Sequence, residues 1–188
     1  MVTDRPAADE LGKSVLDGAL SCFRANKGWA DKAIVQLPDD KLHIPLDPNT
    51  NSIAVIMKHI AGNLLSRWTD FLTTDGEKPD RNRDEEFMVA ADASRAEIMQ
   101  VWATSWQLTF DTVSALRPED LAHAITIRRE PHTVMQAIAR QIAHHASHAG
   151  QIILLAKHWK GPEWKTLSIP RGQSEAVNAA FAAKFGSK

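Results

Sequence analysis

Two histidines, His144 and His148, stand four residues apart in the stretch QIAHHASHAGQ that covers positions 141–151. On an α-helix this spacing puts two side chains on one face, with β-carbons about 6 Å apart. Two imidazoles so placed can share one divalent cation at about 2.1 Å per nitrogen. Ile138, Ile142, Ile152, Ile153 and Leu155 surround them, so the helix is expected to bury this face. A buried imidazole without a partner costs about 1–3 kcal/mol, and a shared cation would supply a partner to both rings. His59, in the stretch MKHIAGN, shares a helical stripe with Ile56, Asn63 and Ser66. It is the third candidate ligand, with Asn63 placed to fix the ring by a hydrogen bond; taken alone it reads better as a partly exposed polar residue.

The remaining histidines fit less well. His145 projects about 100° round the helix from His144, so it could serve only as an i, i+3 alternative paired with His148. His43, His123 and His132 fall in or beside turns, and His158 lies near a helix end, where a cation is favoured. Position 145 is histidine, so the adjacent glutamate base of the H-E-x-x-H metalloprotease motif is missing. Nucleophile-elbow, phosphate-loop and dinucleotide fingerprints are also absent. Cys22 has no activating group visible in the sequence.

The elements that must position these residues read as helices. Leu16, Leu20, Phe23, Ala30, Ile34 and Leu37 recur at helical spacing and predict a first helix over about 8–37, ended by Pro38. Asn51 or Ser52 caps a second helix that runs to about Leu72. Asp75-Gly76 and Pro79 punctuate a long polar crossover. A third helix spans about 91–116, before Pro118. Residues 121–129 alternate apolar and polar, as a short strand or an extended link would. The fourth helix is expected to start near Pro131, which suits a first helical turn, and to stop at Gly161-Pro162. A short helix over 174–184 closes the chain. This is the pattern of an all-α four-helix bundle forming a single domain over 1–188, with a long crossover between its second and third helices.

Composition sets outer bounds. The 188 residues carry a net charge of −1, which gives no electrostatic case for nucleic acid or an anionic membrane. No apolar run approaches the roughly 20 residues of a membrane span. The N-terminal stretch lacks the basic-then-apolar layout of a signal peptide, and the lone Cys22 suits a reducing compartment. The expectation is a soluble, cytoplasmic protein.

A histidine in the second helix (His59) followed by H-x-x-x-H-x-G-Q in the fourth (His144, His148, Gly150, Gln151) resembles the DinB-like (DinB/YfiT) superfamily. The stretches GNLLSRWTDFLTTDGEKP from Gly62 to Pro79, RNRD from Arg81 to Asp84 with Phe87, and LSIPRGQS from Leu167 to Ser174 are similar to one uncharacterised bacterial branch of it. The resemblance implies up-down-down-up helix connections and a three-histidine site at His59, His144 and His148. It further implies zinc or nickel as the metal and a homodimer. Related families use such a site in transfers involving low-molecular-weight thiols.

The leading expectation is therefore a metal-dependent enzyme that activates a thiol or water, of thiol S-transferase or hydrolase type, acting on a small molecule. In the crossover, Arg81 and Arg83 are candidates for binding a substrate carboxylate, as is Arg171 further on. Asp84 and Glu86 are candidates for the general base, and Asn63 and Gln151 for orienting the imidazoles. The charged crossover reads equally as a solvated loop of mutual ion pairs. To act, it must fold back, because the end of the second helix lies about 17–20 Å beyond His59 at 1.5 Å per residue. The alternative is a non-catalytic dimeric stress or binding protein whose metal is structural or absent.

Overall fold

In a computed structural model that describes residues 5–186, the chain is mostly helical, with one two-stranded hairpin. Helix α1 (Arg5–Ile34) is followed by a 3₁₀ turn at Asp39–Leu42, α2 (Ile53–Trp68), a 3₁₀ turn at Asp84–Phe87 and α3 (Arg95–Ser114). Next come a 3₁₀ turn at Pro118–Ala122, strands β1 (Ala124–Ile127) and β2 (Glu130–Thr133), α4 (Val134–Lys160) and α5 (Ser174–Phe185). Among the described residues no helix is long and apolar enough to cross a membrane.

The helix starts are chemically specified. Ser52 accepts a hydrogen bond from the Val55 amide, and Ser94 with Glu97 closes a reciprocal box at the head of α3. The apolar stripes are buried as their spacing requires: Leu16, Leu20, Phe23, Ala30, Ile34 and Leu37 from the first helical region, Ile56, Ile60 and Leu64 from α2. Helix α1 packs on α4 and α3, and α2 packs on α3 and α4. Trp68, Trp102, Trp106 and Phe23 fill the space between them, with Trp102 and Trp106 edge to face at 5.5 Å. No residue of α5 is buried.

Several expected helix bounds need correction: α2 ends at Trp68 and not near Leu72, and α3 starts at Arg95 and not near position 91. Helix α1 ends at Ile34, so Leu37 is buried from the turn that follows and Pro38 lies a turn beyond the helix. Helix α4 begins at Val134, because Pro131 lies in β2 opposite Thr126. The cap of α4 is Thr133, boxed with Gln136. The hairpin turn is made by Arg128 and Arg129, at φ of 56° and 66°. Two successive positive φ values define a type I′ turn, which normally calls for Asn-Gly. Here Asp75 compensates from the crossover: its carboxylate accepts both the Arg128 and the Arg129 amide at 2.8 Å. The Gly76 amide also donates to Thr126 O at 2.8 Å. The crossover, the hairpin and α2 are thus tied together beside α4.

Candidate metal centre

Helix α2 presents His59 and helix α4 presents His144 and His148, and each residue offers a ring nitrogen within 4.8 Å of the others. The His144 Nε2 lies 3.4 Å from the His59 Nε2 and 3.1 Å from the His148 Nε2. His59 is buried, while His144 and His148 are half-buried and reach the solvent edge.

The outer nitrogens are held by partners. His59 Nδ1 lies 2.8 Å from Glu86 Oε2, and His148 Nδ1 lies 2.8 Å from Gln151 Oε1. Both partners are acceptors, so each ring keeps its proton on Nδ1 and turns the bare Nε2 inward. A proton on His144 Nε2 could satisfy only one of its two neighbours. The remaining lone pairs then face one another, an arrangement that a cation relieves. Burial, and after it the neighbouring His148 and His59, pull the His144 pKa down to about 4. Burial likewise lowers that of His148, against the opposing bond to Gln151. His144 and His148 are therefore neutral near pH 7, the state in which imidazole binds metal. The donor set fits a divalent metal ion.

The crossover does fold back. Its 3₁₀ turn lays Phe87 on His59, ring centroids 4.8 Å apart and 26° from parallel, with the Arg83 guanidinium 4.9 Å over Phe87. Arg81 grips Glu86 through two bonds, Nε to Oε1 at 2.7 Å and Nη2 to Oε2 at 2.9 Å. It also reaches Glu77 at 2.9 Å. Burial raises the Glu86 pKa, but the bonds from His59 and Arg81 outweigh it and leave the carboxyl below its usual range. Glu86 is therefore an ionised anchor for His59, with both oxygens engaged. Gly62 makes room for it, since a β-carbon there would run into the Glu86 carboxylate.

The other expected residues are distributed unevenly. Asn63 is buried beside His59 with its Oδ1 unpartnered, so it makes no hydrogen bond to the ring. Gln151 orients His148 as described. Asp84 is exposed and lines none of the cavity beside the histidines. Arg171 is exposed and also stands outside that cavity. His145 is buried in the core, its ring 5.8 Å from that of Phe23 and 5.1 Å from that of Trp106, with both nitrogens unpartnered.

Sequence reasoning missed Arg67 and Arg140, which line the cavity beside His59 and His144. Arg67 follows His59 and Asn63 at steps of four, so the α2 stripe could have suggested it; Arg140 gave no such signal. A family described as "Protein of unknown function (DUF1572)" matches residues 10–173, a span that contains all three histidines, Glu86 and Arg81. No curated protein matches the chain.

Proposed function

The chain belongs to this DUF1572 family, and we propose that it is a metal-dependent enzyme of the DinB-like superfamily, with His59, His144 and His148 as ligands. One observation carries the reading: three imidazoles meet nitrogen to nitrogen while the outer nitrogens of His59 and His148 are fixed by Glu86 and Gln151. The helix contacts and the crossover between α2 and α3 support an up-down-down-up four-helix bundle for the fold. A homodimer follows from the same family reading.

A zinc or nickel ion in such a site supplies a Lewis-acid centre that lowers the pKa of a water or thiol bound to it. Three neutral ligands are the number catalytic sites use, whereas structural zinc takes four protein ligands. Among the described residues no fourth His, Cys, Asp or Glu joins the group, which favours the enzyme over a structural metal. Glu86 holds the His59 proton on Nδ1, and Arg81 keeps Glu86 ionised and in place. Glu86 is thus a positioning residue in this reading, and Asp84 would need a movement of the crossover to act as base. The reaction proposed is transfer of a low-molecular-weight thiol, or hydrolysis, on a small-molecule substrate.

The test is metal analysis of the purified chain, stripped and reloaded with zinc or nickel, followed by a screen of thiol cofactors with electrophiles. One ion per chain in the wild type, lost in His59→Ala and His148→Ala, is expected. Equal metal content in wild type and both variants would sink the site.

A further inference from the structure

A cavity of about 230 Å³ opens beside His59 and His144, and five arginines line it: Arg67, Arg81, Arg83, Arg128 and Arg140. Among the described residues no carboxylate lines it. Arg81 is taken by Glu86 and Glu77, and Arg128 by Glu77 at 3.1 Å. Arg67 is different. It is only 3% exposed, and its Nε and Nη1 have no hydrogen-bond partner. Its closest carboxylate is Glu77, at 4.0 Å, already shared by the other two. Burial, against the pull of Glu77, brings the Arg67 pKa down to about 10, and Arg140 adds to the repulsion.

A buried guanidinium without a bonded counter-charge is costly, and such a group facing a cavity marks a place for an anion. Its planar fork matches two oxygens of a carboxylate or phosphate. Two further polar residues, Asn63 and Gln141, stand in the same wall, their Oδ1 and Oε1 atoms buried behind it. The site also has direction. His59, Asn63 and Arg67 follow one stripe of α2, so the arginine end lies about 12 Å along the axis from His59 at 1.5 Å per residue. On α4, Arg140 and His144 repeat the order one turn apart. The volume is below the usual range for drug-sized ligands, which favours a small acid over a nucleotide or peptide.

We propose that Arg67, Arg83 and Arg140 form an oxyanion subsite. It would take a small organic anion and direct the other end of that molecule toward His59, His144 and His148. The oxyanion site stands on its own geometry; its assignment to a substrate rests on the metal-enzyme reading.

Calorimetric titration with inorganic phosphate and, separately, with the hydroxydicarboxylate malate tests it, at constant ionic strength, on zinc-loaded and metal-stripped protein. One anion per chain is expected in both forms. Arg67→Gln should weaken it roughly tenfold or more, as loss of a charge-assisted bond does. Arg140→Gln, an exposed rim change that leaves the fold alone, should weaken it several-fold and decides the matter if Arg67→Gln does not fold. His148→Ala should bind the anion as wild type does. Preference for phosphate or for malate identifies which oxyanion the subsite takes. Unchanged affinity in the arginine variants overturns the proposal. So does binding that vanishes on stripping the metal or in His148→Ala, since the anion then sits on the metal. Zinc uptake without anion binding would refute the subsite alone, and anion binding without zinc uptake would refute the metal reading alone.

Discussion

His144 and His148 lie on the side of α4 that meets α2, where each has other ring nitrogens at 3.1–3.4 Å. His145 lies on the side that meets α1 and α3, between Phe23 and Trp106, with neither nitrogen partnered. The residue type is the same and the positions are adjacent, yet the chemistry differs. The first pair has its Nδ1 or Nε2 atoms committed to a polar cluster that extends through His59 to Glu86 and Arg81. His145 is a neutral ring filling space among aromatics, at the expense of two unmet hydrogen bonds. Burial, and then the charge of the neighbouring histidines, pushes its pKa well below the usual value. The contrast separates burial from convergence: only the histidines whose ring nitrogens converge form a group that could hold a metal.

The sharpest way to break the comparison is to remove one member of the converging set. His148→Ala should lower zinc affinity by more than the 10–100-fold typical of losing an orienting partner, while the chain stays folded. Competition against a chromophoric chelator, alongside circular dichroism, measures both. Wild-type affinity in that variant would mean that the cluster is not a metal site.

Glu86→Gln should come next, with a loss of zinc affinity within that 10–100-fold range. Gly62→Ala should shift it in the same direction by displacing the Glu86 carboxylate. If both variants match wild type, the Glu86–His59 bond does not tune the ligand.

His145→Leu tests the other side. Removing an imidazole with two unmet nitrogens should stabilise the fold by about 1 kcal/mol or more, a rise of roughly 2–4 °C in Tm for a chain of this size. Zinc affinity should stay unchanged. A loss of zinc binding would make His145 part of the site and erase the distinction drawn above.

The smallest effect expected is on the pH dependence of the metal-free protein. His144 and His145 have native pKa values below the unfolded value of about 6.5. The unfolded chain therefore binds more protons than the native one below that pH, and stability falls as pH drops from about 6.5 toward 4. His145→Leu should flatten the decline, as seen in thermal melts across that window. An equally steep decline in the variant would assign the titration elsewhere.

The helical elements and the His144–His148 pair were readable because a helix repeats every 3.6 residues from local bonds alone. Spacing, caps such as Ser52 and Ser94, and breakers such as Gly161 are enough for that. His59 could be joined to the pair only through the family pattern, since 85 residues separate it from His144. The hairpin was only half legible. Arg128-Arg129 is not a turn sequence, and it turns because Asp75, more than 50 residues away, accepts both amides. That same pinning set the start of α4 at Val134 and folded the crossover back, so that Glu86 became the partner of His59 and Arg67 was left buried with its Nε and Nη1 unpartnered. These outcomes depend on which distant groups share a small space, and no local period or propensity encodes that.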